Sequence, residues 1–288
     1  MSRAARLVLF ATLALACRGR TDPVFVQLTD ARHLVASMRV GFAKTSGASD
    51  RAVMADTDAE SEKFAREADV TADAVQADGA KLSARLADLG NREDQAQLSA
   101  FQERFARYRT LDRQILALAV ENTNLKAQRL SFGPVRHAAD DLAAALDAVA
   151  AASPAAEQCR DGELAARAKL AVREIQILQA PHIAESNDAA MDGLEKEMAS
   201  RQSAARTALG SLAASAPAAA RAPLDRAKTA LDQFDRASRE LIALSRANSN
   251  VRSLELALRQ KPSLATACDE SLGALETALA KEGFTGTR

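Results

Sequence analysis

The residues best suited to chemistry are two asparagine pairs, Asn122-Thr-Asn124 and Asn248-Ser-Asn250. Each side-chain amide offers one carbonyl acceptor and one NH₂ donor, which suits recognition of a carboxylate or an amide. Nearby cations would complete the binding of an anion through charge-assisted hydrogen bonds. The candidate cations occupy matching positions of the two copies and are Lys126 and Arg252, or Arg113 and Arg239.

These pairs belong to an internal repeat. Residues 113–130, RQILALAVENTNLKAQRL, return 126 positions later as residues 239–256, RELIALSRANSNVRSLEL. A match at a fixed offset indicates a tandem duplication. The duplication therefore preserves the asparagines together with the helix that carries them.

The asparagines continue an apolar pattern with steps of three and four residues. The first copy has Phe101, Phe105, Tyr108, Leu111, Ile115, Leu118 and Leu125, and the second has Leu231, Phe234, Ala237, Leu241, Leu244 and Val251. This spacing is typical of the seam of an interdigitated or coiled-coil-like bundle. Asn122 and Asn248 are therefore predicted to be buried.

Buried asparagines need partners, because an unsatisfied buried amide costs about 1–3 kcal/mol. Two interpretations of Asn122 and Asn248 follow. In the structural one, a buried asparagine fixes the register of helix pairing. In the functional one, the amides form a polar layer that meets a ligand.

Other reactive residues are scattered. His33, His137 and His182 have no His or Cys four residues away, so the sequence predicts no metal site. No catalytic or phosphate-binding motif of known mechanism occurs, so we expect neither an enzyme nor a cofactor.

Cys159 and Cys268 could form a disulfide in an exported protein. The helix layout predicted below separates them by about 20 Å along the bundle axis, whereas a disulfide needs Cα atoms within about 7 Å. We therefore expect two free thiols, unless the linker folds back.

The composition is that of a helical protein. Apolar residues make up 48% of the 288 positions, aromatic residues only 3%, and tryptophan is absent. Charged residues are 26% with zero net charge, which is typical of solvated helix faces and gives no reason to expect nucleic acid as a partner.

The N-terminus is predicted to be a targeting segment. Arg3 and Arg6 precede the apolar run of residues 7–16, which is shorter than the about 20 residues that span a bilayer. Small residues before Cys17 resemble a bacterial lipobox, in which the cysteine is lipidated. The resemblance implies a signal peptide over 1–16 and a lipid-attached linker over 17–23. With Arg18 after the cysteine, it also implies an anchor in the outer membrane, facing the periplasm.

The rest of the chain is predicted to be all-α. Proline, glycine and capping residues delimit helices near 24–45, 50–90, 93–131, 135–152, 162–180, 184–214, 218–259 and 263–282. The duplication groups these helices into two tandem antiparallel bundles, with a tail at 285–288. The predicted bundles are 24–152 and 162–284, joined by a linker at 153–161.

The long helices of each repeat leave part of the apolar seam uncovered by the short ones. In the first repeat this part carries Phe101, Phe105 and Tyr108. It must pack on the other repeat, on a second copy in a homodimer, or on a partner protein. We favour packing within a stacked bundle that shares the long helices.

Residues 160–284, and more weakly residues 24–152, resemble the periplasmic four-helix-bundle sensor domain of methyl-accepting chemotaxis proteins. The most specific part is the run Asn-Ser-Asn-Val-Arg-Ser that begins at Asn248. The resemblance implies a non-enzymatic module that binds a small molecule or an envelope protein, tethered to the membrane by its lipid. It supplies no ligand-binding motif. The alternative is a structural adaptor of the envelope.

Overall fold

The computed structural model describes residues 23–285, with side chains for residues 24–282. The predicted signal peptide, Cys17 and all of the lipid-attached linker except Pro23 lie outside the described residues, as do residues 286–288 of the predicted tail.

The prediction of an all-α fold is confirmed, because the described residues contain helices and turns and no strand. The α-helices are α1 (Pro23–Val53), α2 (Asp58–Leu89), α3 (Arg92–Glu121), α4 (Thr123–Leu130), α5 (Arg136–Ala152), α6 (Gln158–Ala184), α7 (Asp188–Ser215), α8 (Arg221–Ala247), α9 (Ser249–Arg259) and α10 (Lys261–Thr285). A π-helical turn, Ser131–Val135, precedes α5, and a 3₁₀ turn, Ala218–Ala220, precedes α8.

The chain divides into two compact units. Among the described residues, unit 1 contains those up to Ala48, Arg66–Leu111 and those from Lys261 onward, and unit 2 contains Ser49–Ala65 and Asp112–Gln260. The predicted ranges 24–152 and 162–284 follow the sequence repeat instead. The tandem pair of bundles stays a prediction about that repeat.

The core of unit 1 is aromatic. Phe42 packs edge-on against Tyr108, with ring centroids 4.9 Å apart, and Phe101 stacks on Phe105 at 5.5 Å. Each such pair adds about 0.5–1.5 kcal/mol beyond its buried area. Phe101, Phe105 and Tyr108 are all buried, so their interpretation as core is confirmed.

The core of unit 2 contains many alanines and one aromatic residue, Phe234. Alanine keeps side chains short, so neighbouring helices can approach closely. The contacts bring α6 against α7 and α5 against α8. Unit 2 contains both asparagine pairs.

Several predicted helix ends are correct. Gly90 has a left-handed φ of 71°, which glycine adopts readily, and Asn91 then caps α3 by accepting a hydrogen bond from the Asp94 amide at 3.0 Å. Ser153-Pro154 separates α5 from α6. Pro262 follows the end of α9 and lies in the first turn of α10, where proline is tolerated.

Three predicted ends are wrong. Asp50 lies inside α1, and the chain turns later, where the Thr57 hydroxyl caps α2 by accepting from the Glu60 amide at 3.2 Å. Helix α6 continues past Pro181 to Ala184. Pro134 lies in the π-helical turn, whose wider backbone ring accommodates the missing N–H.

Candidate functional site

Both repeated asparagines break a helix. Asn122 has φ 50° and ψ 37° between α3 and α4, and Asn248 has φ 54° and ψ 35° between α8 and α9. Among the described residues they are the only non-glycine positions with positive φ. The predicted continuous helices over 93–131 and 218–259 are therefore wrong at these points. Asparagine tolerates the left-handed region better than most residues, which explains the residue type.

Each break is capped by the other repeat. The amides of Thr123 and Ser249 donate to one another's hydroxyl oxygens, at 3.0 and 2.9 Å. The amides of Asn124 and Asn250 donate to one another's side-chain carbonyls, at 3.1 and 3.2 Å. The first amides of a helix have no acceptor within that helix. Here α4 and α9 satisfy each other.

The remaining amide groups link the pairs crosswise. Asn124 Nδ2 donates to Asn248 Oδ1 at 2.8 Å, and Asn250 Nδ2 donates to Asn122 Oδ1 at 2.9 Å. The asparagines therefore bond to one another, and the predicted burial of Asn122 and Asn248 is confirmed.

The two repeats make matching hydrogen bonds except at one atom, Asn122 Nδ2. Its counterpart, Asn248 Nδ2, donates to the Glu185 carbonyl. No acceptor among the described residues lies in hydrogen-bonding geometry to Asn122 Nδ2. The pKa of the nearby Asp58 is lowered, mainly by its hydrogen bonds from Arg129 and in part by Asn122. The Asn122 amide therefore lies near enough to the Asp58 carboxylate to stabilise its charge, although the contact falls outside ordinary hydrogen-bond geometry.

The Asn124 and Asn248 amides, together with the Ser245 hydroxyl, also hold the end of α6, whose last carbonyls lack helical partners. The carbonyls of His182, Ile183 and Glu185 accept from Ser245 Oγ at 2.9 Å, Asn124 Nδ2 at 2.7 Å and Asn248 Nδ2 at 2.8 Å, respectively. Sequence reasoning missed this role, because it pairs residues about 60 positions apart.

The predicted cations lie elsewhere. Lys126 is half-buried and donates to the Glu121 carbonyl at 2.8 Å, whereas Arg113, Arg239 and Arg252 are exposed. Among the described side chains, no hydrogen bond joins these cations to the asparagines. An anion site formed by both groups stays a prediction.

A buried polar network surrounds His182, which is fully buried. Its Nδ1 lies 2.8 Å from Ser245 Oγ, and its Nε2 lies 2.9 Å from Glu195 Oε1. Arg246 Nε also donates to Glu195 at 2.6 Å, and the pKa of Glu195 is lowered by Arg246 first and by His182 second. The set resembles a serine–histidine–acid triad, yet Ser245 is fully buried and bonded to the His182 carbonyl.

A cavity of about 450 Å³ lies beside this network, between α6, α7 and α8. Its polar lining residues are Glu195, Gln202, Asp235, Ser238 and Arg239. Its apolar lining residues are Ile175, Met198, Ala199, Phe234, Ile242 and Ala243. The volume is typical of small-molecule sites. Of the predicted site residues, this cavity contains Arg239.

Asp235 is the unusual residue of this lining. It is only 1% exposed, and its Oδ2 accepts from Arg206, which is not part of the cavity. Its other oxygen, Oδ1, is buried and has no donor among the described residues. An unsatisfied charged group costs more than the about 1–3 kcal/mol of a neutral one, so Asp235 requires an explanation.

Both described cysteines, Cys159 and Cys268, are free thiols. Cys159 is exposed, and burial raises the pKa of the Cys268 thiol to about 12. Within residues 23–285 no group of three or more His, Cys, Asp or Glu side chains could hold a metal ion, and no helix is long and apolar enough to cross a membrane.

Comparison with protein-family models, curated proteins and solved structures yields no significant match.

Proposed function

We propose that this chain is a non-enzymatic, lipid-anchored protein of the bacterial envelope, and that unit 2 binds a small molecule in the cavity between α6, α7 and α8. The buried Oδ1 of Asp235 carries the proposal. Asp235 lines the cavity, and a buried carboxylate oxygen without a donor is expected to meet a donor supplied by a ligand.

Binding is favoured over catalysis because the reactive groups near the cavity are engaged. His182 and Ser245 satisfy each other behind the wall, and Glu195 is held by Arg246 and His182. A general base must reach a proton of the substrate, which the fully buried His182 and Ser245 cannot do. Glu195 lines the cavity, but the Arg246 and His182 contacts lower its pKa and so make it a weaker base.

The position of the cavity suits a sensor-like role, in line with the resemblance to chemoreceptor sensor domains. Helix α8 supplies Asp235 and Ser238 to the lining and ends at the Asn248 break. A ligand that contacts α7 and α8 would act on the hydrogen bonds that hold α6 to Ser245 and Asn248. Such a ligand shifts a helix equilibrium only by its differential affinity for the two states.

The test is to fill the cavity without disturbing the core. Ala199 lines the cavity from an exposed position on α7, so Ala199→Trp should block it. Ala189→Trp, also exposed on α7 but outside the lining, is the matched control. The full chain is screened by thermal shift against amines, amino acids, small acids and alcohols.

At a concentration of 100 Kd, a ligand should stabilise wild type and Ala189→Trp by about 2.7 kcal/mol and leave Ala199→Trp unaffected. The proposal fails if no compound stabilises the wild type, or if stabilisation persists in Ala199→Trp.

The anchoring part of the proposal has its own test. Cys17→Ser should move the protein from the membrane fraction to the soluble fraction, because lipidation needs the thiol. A variant that stays with the membrane would remove the lipoprotein claim and leave the cavity proposal intact.

A structural adaptor is the second candidate, favoured by the reciprocal caps of α4 and α9. Those hydrogen bonds are complete without any ligand, as expected for a rigid element that holds an envelope partner or a second copy. A partner that co-purifies equally with wild type and Ala199→Trp, together with no ligand in the screen, would favour this role.

A further inference from the structure

We infer that the cavity takes an organic amine, whose ammonium group binds Asp235 and whose apolar part lies against Met198 and Ile242. This inference rests on the proposed function, because it names the ligand class of the same cavity.

The ammonium group of the ligand is inferred from the hydrogen bonding of the Asp235 carboxylate. One carboxylate oxygen is bonded to Arg206, and the other is buried without a donor among the described residues. An ammonium group has three donors and no acceptor, so it matches this oxygen in both charge and hydrogen bonding. An anionic ligand would instead bring its own oxygens close to Asp235 and to Glu195, the second carboxylate of the lining.

A further acceptor lies one helical turn from Asp235. Ser238 lines the cavity from the same face of α8, since residues three apart on a helix are neighbours. Its Oγ accepts from Gln179 Nε2 only at the long distance of 3.5 Å. A second ammonium N–H would therefore find an acceptor there.

Arg239 is the cation of the cavity lining, and its positive charge would repel an amine. This repulsion is weak, because the Arg239 side chain is exposed to solvent. A solvated guanidinium contributes little to a field inside a cavity, and salt screens it. Asp235 is buried, so its charge acts over a lower effective dielectric.

The apolar part of the ligand is inferred from the apolar residues that line the cavity. Ile175, Met198 and Phe234 are buried behind the cavity, and Ile242 is half-buried at its side. A compact hydrocarbon or aromatic group would bury this apolar surface and gain binding free energy. A small polyhydroxylated amine would leave the surface exposed to water.

The first repeat provides an internal contrast. The position 126 residues before Asp235 is Arg109, which pairs with Asp73 at 2.7 Å and donates to Gln76 at 2.8 Å. The first repeat therefore places a partnered cation where the second places a carboxylate without a donor for one oxygen. We expect one amine site for each chain.

The experiment is isothermal titration calorimetry of the full chain with three matched probes, 2-phenylethylamine, 2-phenylethanol and phenylacetate. We expect the amine to bind with a stoichiometry of one and at least about tenfold more tightly than the alcohol or the acid, the value of one charge-assisted hydrogen bond. Asp235→Asn should weaken the amine about 10–100-fold.

The matched control is Asp232→Asn. Asp232 lies one turn from Asp235 on α8, pairs with the same Arg206 at 3.4 Å and does not line the cavity. Its substitution should leave amine affinity unchanged. Circular dichroism checks that both variants fold, and if Asp235→Asn does not, Ala199→Trp against Ala189→Trp tests the same cavity with Asp235 intact.

The outcomes separate this inference from the proposed function. If phenylacetate or 2-phenylethanol binds and Ala199→Trp abolishes binding, the cavity is a binding site and the amine assignment is wrong. Amine affinity that is equal in wild type and Asp235→Asn also overturns the assignment. If none of the probes binds at millimolar concentration and the thermal-shift screen finds no ligand, both proposals fail.

Discussion

Replacing Asn248 with glycine should destabilise the protein more than replacing Asn122, although the two residues have almost the same backbone conformation. Glycine adopts positive φ at no steric cost, so both substitutions remove the same left-handed strain and add the same flexibility to the unfolded chain. These backbone contributions cancel between the two variants. The difference in stability therefore measures the side chains alone.

The magnitude follows from counting bonds. Asn248 accepts from Asn124 at 2.8 Å and donates to the Glu185 carbonyl at 2.8 Å, whereas Asn122 only accepts, from Asn250 at 2.9 Å. One more hydrogen bond contributes about 1 kcal/mol, whereas deleting Asn122 removes a buried N–H without a well-formed partner together with its stabilisation of Asp58, two opposing effects. We expect Asn248→Gly to cost about 1 kcal/mol more than Asn122→Gly.

The assay is urea unfolding of both variants and wild type at pH 7, followed by far-ultraviolet circular dichroism because the chain has no tryptophan. Coincidence of the transition with that followed by Tyr108 absorbance tests whether one free energy describes the whole chain. Equal losses in the two variants, or a larger loss for Asn122→Gly, would show that the side-chain hydrogen bonds do not determine the stability of the breaks.

Three further predictions concern titration and thiol access. Burial, then Glu282 and Glu93, raises the pKa of Asp94 to about 6. The folded state therefore binds a proton that the unfolded state releases between about pH 4 and 6, so stability should fall as pH rises through this window and should fall less in Asp94→Asn; parallel pH profiles in urea would contradict this. The pKa of Glu195 is lowered, so the stability it provides is present above the pKa of an unfolded glutamate and is lost as pH falls below it. The loss of stability on acidification should accordingly be larger in wild type than in Glu195→Gln, and an equal or smaller loss in wild type would be inconsistent with the Arg246 contact. Maleimide should label the exposed Cys159 in the native protein and Cys268 only after denaturation, as read by peptide mass mapping, and rapid native labelling of Cys268 would contradict its burial.

Helix content and core residues could be predicted from sequence because they follow from local pattern. The spacing of Phe101, Phe105 and Tyr108 correctly identifies buried positions. Prolines are less reliable signals. A single proline costs about 3 kcal/mol inside a helix, and tertiary contacts such as those of the buried His182 next to Pro181 can exceed that cost.

In the second repeat, the three- and four-residue spacing of apolar residues does not predict every buried position. The predicted positions Ala237 and Leu244 are only half-buried, whereas their neighbours Ser238 and Ser245 are buried. A straight helix drifts by about 20° for every seven residues relative to a supercoiled seam, which turns the next residue inward. The same drift buries Asp235.

The candidate site could be predicted only in part. The repeat identifies the asparagines, because they recur at a fixed offset, but their left-handed conformation depends on partners in the other repeat. Asp235 lacks any such signal, since an aspartate in a charged helix is usually solvated. The nearest sequence signal is its position beside Phe234 within the buried stripe of α8.

The reciprocal caps have a consequence for the origin of the chain. When two equivalent segments exchange the same donors and acceptors, as residues 122–124 and 248–250 do, the contact is self-complementary and has an approximate two-fold axis. A protein made of a single repeat would present this surface to an identical molecule and form an isologous dimer. The present chain is what fusion of the genes for such a dimer would produce. Fusion also frees each half to change independently, which is how Asn122 Nδ2 could lose its acceptor and how position 235 could acquire a carboxylate where position 109 has an arginine.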